Sequence, residues 1–105
     1  MRIAVIDFET TGIEQPEVLQ AAIIDGDGKP LLNNLYCPER VTAWPDAERV
    51  HGIKPIDVQG RISFRSVVPR VTEILNAADV VLAYNAAFEL RILSEYGVRF
   101  KHDSF

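Results

Sequence analysis

The sequence has little cysteine, no long apolar run and no excess of basic residues. A single cysteine among 105 residues, Cys37, excludes an intrachain disulfide and a cysteine-rich zinc site, and this suits a reducing compartment. No apolar run approaches the length of a membrane span, and the first residues lead into Asp7 rather than into a signal-peptide cleavage site. We therefore expect a cytoplasmic protein that does not contact a membrane.

The charge balance is slightly acidic, with a net charge of −4 from 15 acidic and 11 basic residues. It argues against nucleic-acid binding through a broad basic surface. It does not exclude a nuclease, because bound divalent metals can supply the positive charge that faces a phosphate. The content of 48% hydrophobic and 25% charged residues excludes disorder, collagen and coiled coil. The length fits a single domain over residues 1–105.

The first half of the chain is typical of three strands, at Ile3–Ile6, Val18–Asp25 and Pro30–Tyr36. The first is a continuous apolar run with β-branched residues, and a glycine-containing turn separates the second from the third, which favours an antiparallel meander. The prolines that follow indicate a loop with one short helix near Asp46–Val50.

The second half alternates helices with strands. Apolar residues at helical spacing predict a helix over Ser66–Ala78, and Asp79–Tyr84 is typical of a buried fourth strand. Asn85 is placed to begin a second helix that stops at Gly97, and a weak last strand is indicated near Val98–Phe100. The predicted fold is α/β, with a mixed sheet and helices packed against it.

The most informative local pattern runs from Asp7 to Gly12. Asp7 and Glu9 lie on one face of a strand, roughly 7 Å apart, at the end where open α/β sheets place their ligands. Neighbouring carboxylates repel unless a cation joins them, and two divalent ions about 4 Å apart suit attack on a phosphodiester. Thr10, Thr11 and Gly12 would let the backbone turn sharply beside such ions. The alternative is a strand end that faces water.

Two further residues are candidates for the same site. Glu89 falls at the start of the last helix, where an acid complements the helix dipole. If the fourth strand lies beside the first, Glu89 instead converges with Asp7 and Glu9. His51 lies on a loop and is a candidate metal ligand, substrate contact or packed loop histidine.

Three segments, in this order, resemble the DEDD superfamily of 3′–5′ exonucleases, in the branch of the DNA polymerase III epsilon subunit and ribonuclease T. Asp7–Gly12 resembles the first motif, Val50–Ile53 the His-Gly-Ile landmark, and Tyr84–Glu89 the second motif. The resemblance covers the chain from Arg2 to about Tyr96. Three ordered matches are far more specific than any one of them.

The resemblance implies an RNase H-like fold and an enzyme that hydrolyses single-stranded 3′ ends of DNA or RNA to nucleoside 5′-monophosphates. Asp7, Glu9 and Glu89 would be catalytic and would hold two Mg²⁺ or Mn²⁺ ions. The implied substrate-binding residues are Thr10, Thr11, Gly12, His51, Asn85 and Phe88, of which the last two position the motif. A polymerase, or a second copy of the chain, is a possible partner.

The sequence departs from the family pattern in three ways. Tyr84 stands where a histidine is common, and Glu89 replaces the usual aspartate with a side chain one methylene longer. No helix with a His or Tyr base and a last metal-binding Asp precedes Phe105. His102 and Asp103 cannot replace it, since adjacent residues point to different faces. We therefore expect residues 1–105 to be an N-terminal fragment of a longer domain whose C-terminal part is missing, with an exposed apolar face.

Three alternatives remain at this point. The first is a noncatalytic RNase H-like module that binds nucleic acid or a partner, favoured by Glu89 and the missing last motif. The second is a phosphatase with Asp7 as nucleophile, although no lysine or serine motif lies at the expected strand ends. The third is a structural domain without a site.

Overall fold

The structure, a computed structural model, describes residues 1–99. Its centre is a four-stranded sheet in the order β3-β2-β1-β4. The strands are β1 (Ile3–Thr10), β2 (Val18–Asp25), β3 (Pro30–Leu35) and β4 (Val80–Ala83). The first three form an antiparallel meander, and β4 runs parallel to β1. The predicted mixed α/β sheet is confirmed.

Strand β1 is longer than the predicted Ile3–Ile6. It continues to Thr10 because β2 keeps pairing with it, through Glu9 opposite Gln20 and Thr10 opposite Val18. Strand β4 pairs with β1 only as far as Ile6. The last four residues of β1 therefore extend beyond their parallel neighbour and leave a gap beside it.

Within residues 1–99 four helices accompany the sheet; the short helix expected near Asp46–Val50 is present, and a second short helix, which the sequence analysis did not predict, follows it. The helices are α1 (Pro45–His51), α2 (Pro55–Val58), α3 (Val68–Ala77) and α4 (Ala86–Glu95). A 3₁₀ turn, Phe64–Val67, leads into α3. Each of the first three helices has a proline at its first or second position, where the missing N–H has no intrahelical partner to lose.

Helix α4 begins after Asn85, as predicted, although the Asn85 side chain makes no capping hydrogen bond. The predicted last strand is not present at Val98 and Arg99, which adopt irregular backbone. The rest of that prediction, at Phe100, and the pair His102–Asp103 lie outside the described residues.

Helices α3 and α4 pack on one face of the sheet and enclose the main core with Ala4, Ile6 and Phe8 of β1. Phe64 occupies the centre of an aromatic group. Its ring lies 5.5 Å from Phe8, 5.4 Å from Tyr36 and 4.9 Å from Tyr96, each in an edge-to-face arrangement. Such geometry adds to the energy of burial and fixes the 3₁₀ turn against the sheet.

A second, smaller core lies under α1 and α2, where Trp44 packs with Leu19, Ile53 and Val58. The indole Nε1 of Trp44 donates a hydrogen bond of 2.8 Å to the carbonyl of Ile53. This core fixes the connection between β3 and α3 against the start of β2.

The opposite face of the sheet is less covered. Ile3, Val5 and Ile24 are partly buried there, and Leu82 is 39% exposed. None of the helices within residues 1–99 is long and apolar enough to cross a membrane.

Candidate active site

The overhanging end of β1 carries two of the candidate carboxylates. Asp7 is exposed and Glu9 is half-buried, on the face away from the helices. The pKa of Glu9 is raised by its burial and by the charge of Asp7, while His51 lowers it. The two side chains thus act on each other electrostatically, and the end of β1 is a site of concentrated negative charge.

Glu89 reaches this end of the sheet from the first turn of α4. Its side chain is only 3% exposed, and a hydrogen bond from the Phe8 main chain meets it in the gap beyond β4. Burial is the main cause that raises the pKa of Glu89 to about 7; the charges of Asp7 and Glu9 contribute to the rise, and the Phe8 hydrogen bond opposes it. Simple complementation of the helix dipole would favour the ionised form, so it does not account for this environment.

The chemistry of these donors fits a divalent cation. Carboxylate oxygens are the ligands that Mg²⁺ and Mn²⁺ prefer, and Oε2 of Glu89 is buried with no hydrogen-bond partner among residues 1–99. A cation would satisfy that atom and relieve the repulsion among the three carboxylates. In residues 1–99, however, the side chains as placed form no group of three or more His, Cys, Asp or Glu that could hold a metal.

The loop after β1 is shaped by its threonines. The hydroxyl of Thr10 is turned back and donates a 2.7 Å hydrogen bond to the carbonyl of Gly12. The hydroxyl of Thr11 accepts a 3.1 Å bond from the N–H of Glu17, and the N–H of Thr11 donates to the carbonyl of Glu17 at 3.0 Å. The loop from residue 11 to residue 17 is therefore closed on itself. A side chain at Gly12 would meet nothing within 4 Å, so the backbone there faces open space.

His51 links α1 to the end of β1. Its Nδ1 accepts a 3.0 Å hydrogen bond from the N–H of Ile53. Its Nε2 therefore carries the proton and donates to the carbonyl of Thr10 at 2.9 Å. Both ring nitrogens are engaged within the chain, which favours the packed-loop interpretation over a metal ligand. Gly52, with φ of 78°, allows the turn that follows.

A groove of about 640 Å³ separates this loop from α1. Two apolar side chains that the sequence prediction missed stand on its walls, Ile13 at 76% exposure and Val50 at 86%. Ile13 follows the first motif directly, and Val50 begins the His-Gly-Ile landmark. The sequence signal that could have identified these two groove residues was therefore an aliphatic residue in or next to a motif. The lining is Thr11, Gly12, Ile13, Ala43, Trp44, Pro45, Asp46, Ala47, Val50 and His51.

The remaining candidates lie at the start of α4. The carbonyl of Asn85 accepts the N–H of Glu89 at 3.0 Å, so Asn85 supports the first turn through its main chain. Phe88 is partly buried and packs against the main core. Tyr84 is fully exposed. Phe88 thus anchors the motif, whereas Tyr84 and Asn85 face solvent.

A family model described as an exonuclease, RNase_T, matches residues 4–103. The chain belongs to this exonuclease family. The resemblance to DEDD-type 3′–5′ exonucleases, inferred from the motifs, is thereby confirmed for the family and the fold. No curated protein matches the chain by sequence.

Solved structures of exonucleases have a fold similar to that of this chain. Exonuclease X, in complex with 5′-overhanging duplex DNA, is 26% identical with a TM-score of 0.68, over 86% of this chain and 52% of that chain. Exonuclease I from Methylocaldum szegediense is 22% identical with a TM-score of 0.77, over 90% and 23%. E. coli exonuclease I in complex with a dA16 oligonucleotide is 16% identical with a TM-score of 0.68, over 90% and 23%. The chain spans about half or less of these proteins.

Two charged residues of this exonuclease-family chain hold backbone segments in place through hydrogen bonds, and the sequence prediction missed both. Glu17 is buried, and its carboxylate accepts four hydrogen bonds of 2.8–3.2 Å from the backbone N–H groups of residues 39–41. Arg91 of α4 donates to the carbonyls of Ile13 and Glu14. The sequence carries no local signal for either contact, since the partners lie 22–24 and 77–78 residues away.

Proposed function

We propose that this chain carries the metal-binding part of a 3′–5′ exonuclease that releases nucleoside 5′-monophosphates from single-stranded ends of DNA or RNA. The observation that carries the proposal is that the charges of Asp7 and Glu9, at the free end of β1, act on the buried Glu89, in a chain that belongs to an exonuclease family. The raised pKa of Glu89 supports it, because a buried, repelled carboxyl is the kind of group that a cation would satisfy.

In this proposal Asp7, Glu9 and Glu89 hold Mg²⁺ or Mn²⁺. Divalent ions at such a site supply charge neutralisation at the phosphate and activation of water. The chain itself supplies geometry. Phe88, fixed in the core, sets the position of Glu89, while His51 holds the carbonyl of Thr10 and with it the end of β1.

The groove between the loop after β1 and α1 suits the terminal nucleotide. Its volume of about 640 Å³ lies in the range of small-molecule sites. Ile13 and Val50 offer apolar surface against which a base can pack. The open backbone at Gly12 permits close approach of the sugar and phosphate. The complex of exonuclease X with DNA supports a nucleic acid as the ligand.

We also propose that residues 1–105 are the N-terminal part of a longer exonuclease domain. The support is that the chain spans 52% of exonuclease X and that its matched motifs contain no His or Tyr base. Loss of a general base typically lowers the rate by about 10²–10⁴-fold. The test therefore combines hydrolysis with metal binding, which needs no base.

The experiment uses a 5′-labelled single-stranded oligonucleotide with Mn²⁺, and calorimetric titration of Mn²⁺ in parallel. The wild type is compared with Asp7→Ala and with the control Asp27→Ala, an exposed acid on the β2–β3 turn. We expect a ladder that shortens from the 3′ end, and loss of both hydrolysis and Mn²⁺ binding in Asp7→Ala only. Hydrolysis unchanged by Asp7→Ala would contradict the assigned site. Mn²⁺ and oligonucleotide binding without hydrolysis would favour the noncatalytic module.

A further inference from the structure

Helix α4 contacts the tip of the loop after β1 through one side chain. Nη1 of Arg91 donates a 2.6 Å hydrogen bond to the carbonyl of Ile13, and Nη2 donates to the carbonyl of Glu14. Nε of the same guanidinium donates to Glu95 at 3.1 Å, one helical turn further on. The planar group is therefore held on its helix side and presents two donors to two consecutive carbonyls.

The loop has other attachments, but they lie at its ends. Thr11 and Glu17 pair across its base, and the hydroxyl of Tyr96 accepts the N–H of Val18 at 3.0 Å where β2 begins. Among the residues that the structure describes, Arg91 makes the hydrogen bonds to the tip at residues 13 and 14. The Ile13 side chain is 76% exposed and gives the tip little support from the core.

The chemistry of the contact depends on the guanidinium group. Arginine stays protonated at any working pH, and its rigid fork can serve two acceptors at once. A lysine ammonium is a point charge on a flexible stem and does not fix two carbonyls in one geometry. Bonds from a charged donor to neutral carbonyls are also stronger than neutral hydrogen bonds.

We propose that Arg91 is a positioning residue that holds the loop tip as a fixed wall of the groove, so that Ile13 faces Val50 before a nucleotide enters. The proposal rests on the proposed function, because it assigns the groove to the terminal nucleotide. Because the loop is already ordered before the nucleotide binds, binding does not include the entropy cost of ordering it. Loss of Arg91 should therefore weaken nucleotide binding and leave the carboxylate chemistry in place.

The test compares the wild type with Arg91→Ala, Arg91→Lys and the control Arg70→Ala. Arg70 is a matched helix arginine that pairs with Glu73 on the exposed side of α3. Two quantities are measured: ¹⁵N order parameters of the Ile13 and Glu14 amides, and the Kd for a nucleoside 5′-monophosphate with Mn²⁺ present. Where turnover is measurable, KM and kcat are added.

In Arg91→Ala we expect the order parameters to fall from about 0.85 to below about 0.6 and Kd and KM to rise about tenfold. We expect kcat to change by less than about twofold, Arg91→Lys to be intermediate, and Arg70→Ala to resemble the wild type. Unchanged order parameters in Arg91→Ala would overturn the proposal, as would a mobile tip with unchanged Kd. If the wild type binds no nucleotide, the proposed function fails, and the order parameters alone still decide whether Arg91 fixes the loop.

Discussion

The buried position of Glu89 lowers the stability of the metal-free fold when its carboxyl group is ionised. Its pKa is about 7 in the folded chain, against 4.5 for an unperturbed glutamate. The folded state thus binds the proton more tightly than the unfolded state does. Its contribution to stability is fully present below pH 4.5 and is lost as the pH rises through 7. We predict that Glu89→Gln, which cannot ionise, is more stable than the wild type at pH 8 and equally stable near pH 4.5.

The size of the effect follows from the pKa. A rise from 4.5 to about 7 corresponds to about 3 kcal/mol at 1.36 kcal/mol for each factor of ten. Solvent beside the exposed Asp7 screens part of the repulsion, so we expect a gain of about 1–2 kcal/mol. For a domain of this length the unfolding midpoint would rise by about 5–10 °C. Burial and Asp7 raise the pKa of Glu9 in both proteins, whereas the repulsion between Glu9 and Glu89 exists only in the wild type and is part of the difference.

The assay is urea unfolding followed through the fluorescence of Trp44, the single tryptophan, which is buried in the smaller core. Stability is measured from pH 4.5 to pH 8, with Glu73→Gln on the surface of α3 as the control. Adding Mn²⁺ at 100 times its Kd should stabilise the wild type by about 2.7 kcal/mol and reverse the order of the two proteins. A difference between Glu89→Gln and wild type that does not vary with pH would refute the reasoning.

Two further predictions concern stability alone and use the same unfolding assay. Glu17→Gln replaces a carboxylate that accepts four hydrogen bonds from three backbone N–H groups by an amide that can accept fewer, so we expect a loss of about 2–4 kcal/mol, with Glu39→Gln in the neighbouring surface pair as the control. A loss in Glu17→Gln below about 1 kcal/mol would show that this cluster contributes little. Phe64→Ala empties the centre of the aromatic group and should cost about 3–5 kcal/mol. Ile62→Ala, at an exposed position, should change stability by less than about 0.5 kcal/mol, and equal losses at the two positions would contradict this account of the core.

The parts of the fold that local patterns determine could be predicted from the sequence. Strand β2 occupies the predicted Val18–Asp25, and β3 ends at Leu35, one residue before the predicted end. The apolar run predicted as a fourth strand over Asp79–Tyr84 is present as the shorter β4, and the condition that this strand lies beside β1 is met. These elements follow from runs of apolar residues and from glycine-containing turns, which are signals of short range.

Elements that depend on distant partners were misplaced. The apolar run Ile3–Ile6 indicated the buried part of the first strand, and it does not show where the strand ends; pairing with β2 extends it to Thr10. Helix α2 is a single turn after Pro55, and the N–H of Lys54 donates to the Asp57 side chain at 2.8 Å. A turn this short has too few residues to show helical periodicity.

The candidate site shows the same division. The motif residues themselves, and their arrival at one end of the sheet, could be anticipated from their order and from the strand ends that carry them. The buried environment of Glu89 could not be predicted, because it depends on how far β1 extends beyond its last residue that pairs with β4. The contacts of Arg91 and Glu17 could not be predicted either. Arg91 donates to main-chain carbonyls and Glu17 accepts from main-chain N–H groups, and the sequence does not distinguish these groups from the others along the chain.

The anchoring of the loop through the main chain has a consequence for the diversification of this member of the exonuclease family. Glu89, His51 and Arg91 hold N–H and carbonyl groups between residues 8 and 14, and those groups are the same whichever amino acid carries them. Ile13 can therefore be randomised in a mutant library while the backbone keeps its course. Selection on such a library would act on what the groove accepts, because the shape of the loop depends on Thr10, Thr11 and Arg91 and not on the side chain at position 13.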